Sequence, residues 1–127
     1  MKPLVFKKRR RLRHQPKPRI RIAVTKGDMV QVLSGDEAGK RARVLRVHRK
    51  TGRVTLEGVN VVKRHRKATQ NTEAGIVQFP APIHHSKVML LDPKSGEPTR
   101  IRRRTDKDGT VERIAVKSGQ PIPRNRQ

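Results

Sequence analysis

The stretch KGDMVQVLSGDEAGKRARVLRV, Lys26–Val47, decides the fold. Val30-x-Val32 and Val44-Leu45-x-Val47 are short β-branched runs, too brief for helices and bounded by turn formers. Gly27, Gly35 and Gly39 mark the turns around them, so two strands are expected to approach across a tight loop. The acids are out of character with what precedes them. The first twenty-six residues carry eleven Lys or Arg and no acid, yet Asp28, Asp36 and Glu37 then arrive within ten residues. Asp beside Gly bonds nearby backbone N–H groups, so turn chemistry accounts for Asp28 and Asp36 without catalysis.

Reading outward, the β pattern continues to about residue 62. Residues 42–57 read as a hairpin whose turn is Thr51-Gly52, and Gly58 marks a bulge or sharp bend before Val59, Val61 and Val62. Lys63 to about Lys87 reads as a long loop, broken by Pro80 and Pro82. Val88–Leu91 looks like another strand. Ile101 and Val111, Ile114 and Val116 suggest two more, joined by a turn at Asp108-Gly109. Lys94–Pro98 (KSGEP) and Lys117–Pro121 (KSGQP) echo each other. No long amphipathic pattern is visible, so the fold class is all-β, a small, mostly antiparallel barrel. Upstream, residues 1–25 form a basic arm in which Pro3, Pro16 and Pro18 discourage helix.

Composition bounds the function. Of 127 residues 31% are hydrophobic and 2% aromatic, which supports a compact unit of roughly 60–90 residues with polar extensions. The net charge of +23 demands a polyanion. A membrane surface would want an amphipathic helix with large apolar residues on one face, and the chain has only Phe6 and Phe79 as aromatics. No apolar run is long enough to cross a bilayer, and the start of the chain lacks a signal peptide's apolar stretch. Without cysteine there is no disulfide, thiol nucleophile or thiolate-bound zinc. His14, His48, His65, His84 and His85 form no metal-binding spacing, and in a strand His84 and His85 would point to opposite faces. Gly35–Lys40 is one residue short of a P-loop, and Arg41 replaces its Ser/Thr. An enzyme is not expected.

Among nucleic-acid binders, single-strand modules need aromatic platforms that this chain lacks. What remains is recognition of backbone and shape by cations, which suits folded RNA. Three basic clusters supply them. The first is Lys7, Lys8, Arg9, Arg10, Arg11 and Arg13, with Arg19 and Arg21 further along the arm. The second is Lys63, Arg64, His65, Arg66 and Lys67. The third is Arg100, Arg102, Arg103 and Arg104.

The Lys26–Val47 stretch resembles a KOW motif, carried on small SH3-like β-barrels: K-G-D-x-V-x-V-x-x-G, then G-K, then V-x-x-V. With Val54–His65, Ala74–Ile101 and Asp108–Gly119 in order, the chain resembles the bacterial form of the universal large-subunit ribosomal protein family numbered twenty-four. The resemblance runs from about Lys26 to Ile122. It implies an SH3-like barrel core over 26–66, a basic extended arm over 1–25, and a long loop with a C-terminal β-rich lobe over 67–127 that completes the domain. It implies a structural constituent of the large ribosomal subunit that binds the 5′ region of the 23S-type RNA directly, early in assembly, near the peptide exit tunnel. Neighbouring ribosomal proteins, and nascent chains at the tunnel exit, are the other partners expected; membrane and zinc are not. The location implied is the cytoplasmic ribosome, with an organellar ribosome left open. The alternative is a KOW-domain transcription elongation factor, which would want a further domain to contact polymerase.

On this resemblance the acids are scaffold. Lys26, Gly39, Lys40, Arg41 and Arg43 join the RNA-binding surface, as do His84, His85, Ser86 and Lys87. Arg49, Lys50, Thr51, Gly52 and Arg53 form a hairpin tip facing the exit tunnel. The tip is expected to be exposed and replaceable by a two-residue Asn-Gly turn without loss of fold. Two positions depart from the pattern. Ala42 stands where the motif commonly has a second glycine. Asp92, Ser95, Ala115 and Ser118 stand where some relatives carry paired cysteines, so no cofactor is expected.

Overall fold

The computed structural model describes Met1 and residues 16–125. Ten short strands and one 3-10 turn make up the regular structure of these residues, and no α-helix occurs among them. The fold is an all-β, SH3-like barrel with a β extension.

The barrel sheet has the order β6-β3-β2-β1-β7. Its strands are β1 (Met29–Val32), β2 (Arg41–His48), β3 (Arg53–Leu56), β6 (Ile83–His84) and β7 (Val88–Leu90), all antiparallel to their neighbours. β2 serves two partners in succession. Arg41–Arg43 pair with β1, and Val44–His48 pair with β3. The register slips between Val44 and Arg46, leaving Leu45 as a bulge. A bulge bends the strand and raises its twist, which lets one strand turn the barrel's corner. The edge strands β6 and β7 are joined through the 3-10 turn η1 (His85–Lys87), so the sheet curls back on itself.

The core is aliphatic. Val30, Val32, Ala42, Val44, Val54 and Leu56 alternate inward, and Val59, Val88 and Leu90 cap them. Two further members, Ile22 and Val24, come from the segment assigned by sequence to the arm, and both are less than one-tenth exposed. They alternate with solvent-facing Arg21 and Ala23, so the end of the arm packs like a strand although its ladder is not formed. The core also draws on residues beyond 66, since β6 and β7 belong to the same sheet.

Gly58 sits in the sharp bend that follows β3, with φ of 67°, and the strand bulge lies instead at Leu45. Residues 63–80 are not the unstructured loop expected. β4 (Val61–Arg66) and β5 (Gly75–Pro80) form a two-stranded ribbon with six consecutive pairs, closed at its far end by a Thr69–Thr72 bridge. Its signal is invisible to hydrophobic periodicity because neither strand has a buried face. The C-terminal sheet has the order β10-β9-β8, with β8 (Ile101–Thr105) and β9 (Val111–Ala115) forming the expected hairpin and β10 (Pro121–Ile122) added at the edge.

Candidate nucleic-acid interface

Acids hold the turn that enters β1 and the loop between β1 and β2. Asp28 is buried and accepts from the Thr25 N–H at 2.7 Å and the Thr25 hydroxyl at 2.9 Å. It also forms a two-pronged ion pair with Arg113 of β9, at 2.6 and 3.1 Å. Arg113 donates as well to the carbonyls of Ala23 and Pro123. This one guanidinium therefore ties the arm's end, the loop entry and the C-terminal tail together. Turn chemistry anticipated the Thr25 bonds; no local signal marks Arg113.

Glu37, rather than Asp36, secures the loop's far side. It accepts from the backbone N–H of Asn60, and Lys40 lies 3.1 Å from its other oxygen. The Asn60 N–H and then the Lys40 ammonium hold the Glu37 carboxyl below the usual carboxylate range. Lys40 also donates to the Gly58 carbonyl. Lys40 is thus partly engaged in scaffolding, while Lys26, Arg41 and Arg43 stay exposed. Gly39 has φ of 85°, and a Cβ there would meet open space, so it is the backbone conformation that requires glycine. Ala42 faces the core in β2 without a positive φ, so no strain attends the missing glycine.

The expected basic residues gather in unexpected groups. A groove between the arm, the hairpin tip and the C-terminal sheet is lined by Arg19, Arg21, Arg49, Arg103 and Arg124, together with Ile20, Ile22 and Val111. Five arginines and no carboxylate line it, so five positive charges share one concavity. Sequence reading split four of these among arm, tip and third cluster and did not include Arg124, a tail residue without motif. Arg53, grouped with the tip, belongs elsewhere: it lines a second groove with His84 and Lys87, a groove that Asp36 and Glu37 also line.

The tip itself is anchored. Lys50 and Thr51 are exposed, but Gly52 is buried. The Ile20 N–H donates to the Arg49 carbonyl at 2.9 Å, and the His85 N–H donates to the Gly52 carbonyl at 3.0 Å. The His84 and His85 rings do not oppose each other, because the chain leaves β6 for η1 between them. Their centroids are 4.6 Å apart. His84 Nδ1 lies 2.7 Å from the Ser86 hydroxyl, which fixes the turn.

The third cluster divides between the faces of β8. Arg103 stands opposite Arg113, toward the five-arginine groove. Arg102 and Arg104 occupy the other face, where Arg104 is paired with Asp106 and Glu112. Arg100 remains exposed. Lys63, Arg64, His65, Arg66 and Lys67 lie along the ribbon and its exit, all exposed. Lys7, Lys8, Arg9, Arg10, Arg11 and Arg13 lie outside the described residues.

The two KSG echoes form a matched pair of knuckles. The Gly96 N–H donates to the Asp92 carbonyl and the Gly119 N–H to the Ala115 carbonyl, each at 2.8 Å, with both glycines at φ near 70°. The Ser118 hydroxyl donates across to Asp92 Oδ1 at 2.7 Å. The backbone N–H of Lys94 and the Ser118 hydroxyl hold the Asp92 carboxyl below its ordinary range, against the opposing effect of burial.

Comparison with known proteins covers nearly all of this architecture. A KOW-motif family model matches residues 26–57, and the model described as "Large ribosomal subunit protein uL24, C-terminal domain" matches residues 59–122. The chain is similar to the large ribosomal subunit protein uL24 of Erythrobacter litoralis, 50% identical over 100 residues, covering 78% of this chain and 93% of the relative. It is 50% identical over 103 residues to uL24 of Staphylococcus epidermidis, covering 80% and 97%. It is 51% identical over 98 residues to uL24 of Bacillus thuringiensis, covering 76% and 94%.

Proposed function

The chain belongs to the bacterial-type uL24 family of large ribosomal subunit proteins, and from that premise we propose that it is a non-enzymatic constituent of the ribosome that binds large-subunit RNA directly. The observation that carries the RNA-binding part is the groove of Arg19, Arg21, Arg49, Arg103 and Arg124. Five guanidinium groups without a carboxylate repel one another in water, and closely spaced phosphates relieve that repulsion while accepting paired N–H bonds. Ile20, Ile22 and Val111, which line the same groove, give ribose and base edges an aliphatic surface to rest on.

In this reading the barrel fixes orientation. The arm over 1–25 and the lobe over 67–127 carry cations to several sides of an RNA fold, in the cytoplasmic ribosome. Binding is to the 5′ region of the 23S-type RNA, early in assembly and beside neighbouring ribosomal proteins. The Arg49–Arg53 tip lies near the peptide exit tunnel, where nascent chains pass.

Crosslinking within purified ribosomes tests the reading. Peptides holding Arg19–Arg21, Arg49 and Arg103 should carry crosslinks to the 5′ region of the large-subunit RNA. Crosslinks to RNA polymerase, with none to ribosomal RNA, would replace this reading with that of a transcription factor.

A further inference from the structure

Arg113 does not line the five-arginine groove, yet the segments that do converge on it. It lies on β9 and is buried. One Nη donates to the Ala23 carbonyl at 3.1 Å and to Asp28 Oδ2 at 2.6 Å. The other donates to Asp28 Oδ1 at 3.1 Å and to the Pro123 carbonyl at 3.0 Å. Its Nε is enclosed. No N–H of Arg113 is left to meet RNA, and Asp28 balances its charge, so it adds nothing to the repulsion within the groove.

The carbonyls it holds are placed where the groove needs them. Arg21 lies two residues before Ala23, Arg124 directly follows Pro123, and Arg103 stands opposite Arg113 on β8. Neither outer segment has a ladder at that point. The arm forms none, and the β10 pairing ends at Ile122. Pro123 has no N–H with which to continue it. Beyond Ile122 the tail is held by the Pro123 carbonyl and by Asn125 Nδ2, which donates to the Gly27 carbonyl at 3.2 Å. Cations on two such segments repel each other and would drift apart unless the backbone were fixed. Ordering them only on contact with RNA would cost affinity.

Resting on the RNA-binding reading above, we infer that Arg113 is the positioning residue of the arginine groove. It spans the arm and the tail through their carbonyls and sets Arg21 and Arg124 beside Arg103 before RNA arrives. The buried Asp28–Arg113 pair thus governs binding without touching the ligand.

Filter binding of a large-subunit RNA transcript by the full chain, across a salt series, tests this. D28N/R113M removes both buried charges together and keeps an amide oxygen for the Thr25 N–H. R113K is run alongside; its ammonium keeps the charge opposite Asp28 but lacks the fork that reaches both carbonyls. Circular dichroism establishes which variants are folded at the assay temperature, and R113K decides alone if the double variant is not. In the wild-type background R21A and R124A should each lower the log–log salt slope by roughly 1. The Arg113 variants should lower it by roughly 2, and adding R21A or R124A to them should then change little. R43A, outside the groove, should have the same effect in every background. A wild-type slope in the Arg113 variants, or undiminished effects of R21A and R124A within them, would overturn the inference. So would an equally blunted effect of R43A, which would mark a general loss of structure. A flat salt titration of the wild type would instead overturn the RNA-binding reading itself.

Discussion

Asp28 and Arg113 stand 85 residues apart in the chain and meet through two N–H···O bonds, with both side chains almost wholly excluded from solvent. The pair joins the start of the KOW motif to the C-terminal sheet, two regions that separate family models describe. Buried ion pairs are costly to assemble and far more costly to halve. Either D28A or R113A should therefore destabilise the protein by about 3–5 kcal/mol. Replacing both with apolar residues of similar volume should recover most of that loss. Urea unfolding of the singles and the double measures it; singles within about 0.5 kcal/mol of wild type would show that the pair does not hold the two sheets together.

The boundary of the arm is a matter of two side chains. Ile22 and Val24 lie in the barrel core, whereas the residues before Ile20 supply cations. Deleting residues 1–20 should leave the sheet intact and weaken RNA binding, since nine of the thirty-three Lys and Arg lie at or before Arg19. Deleting residues 1–25 should cost about 1.5–3 kcal/mol for each core side chain removed, a large part of a small domain's stability. Circular dichroism with thermal melting separates the two. Equal melting of both truncations would remove Ile22 and Val24 from the core.

What could be read in advance follows from where burial lies. The barrel strands each bury one face, so Val30, Val32, Val44, Val54 and Leu56 announce themselves by alternation. The ribbon buries neither face, and a backbone ladder without a hydrophobic period leaves no mark in sequence. The five-arginine groove was legible as charge but not as a place, because its members come from four separate segments. Arg113 was hidden for the same reason. A buried arginine looks like any other until the partner 85 residues away is known.

Acid should weaken the fold in a definite window. Glu37 and Asp92 both have carboxyl groups held below their ordinary range in the folded state, by backbone N–H groups foremost. Such groups contribute stability that is fully present above the unfolded carboxylate range, near pH 4. That contribution shrinks as pH falls through this range and is gone once pH is below the depressed folded values. The urea midpoint should therefore fall between pH 6 and pH 3. E37Q and D92N should each lower the midpoint at pH 6 and flatten this dependence, while leaving the general acid repulsion of a +23 chain in place. Variants with the wild-type pH slope would show that these two carboxylates are not the ones responsible.

Phosphate neutralisation makes binding salt-sensitive in a way that can be assigned to single residues. If roughly 6–10 phosphates are engaged, affinity should fall by about 10³–10⁵ between 50 and 200 mM salt. R103A and R124A, both lining the groove, should each reduce the log–log slope by roughly 1. R104A should change it less, because Arg104 already neutralises Asp106 and Glu112. Filter binding across a salt series reads these slopes, and equal effects of R103A and R104A would dissolve the groove as a distinct site.

The hairpin tip sets the last expectation. Judged by sequence, His48–Arg53 is a solvated turn that a two-residue Asn-Gly loop could replace. The structure ties it down on two sides: the Arg49 carbonyl accepts from Ile20 and the Gly52 carbonyl from His85. A Cβ on Gly52 would come within 2.9 Å of the Ile20 methyl, and φ there is +70°. Shortening the loop removes both acceptors from their present places, at about 0.5–1.5 kcal/mol for each bond. It also takes Arg49 out of the arginine groove. G52A should destabilise by about 1–2 kcal/mol from its left-handed backbone alone, with the Ile20 contact adding to that. K50A and T51A, at the exposed apex, should leave stability unchanged. Incorporation into ribosomes should follow the same order: normal for the apex variants, reduced for G52A and the shortened loop. If the shortened protein melts and assembles like the wild type, the tip is a free turn after all, and the contacts of Ile20 and His85 with it contribute little.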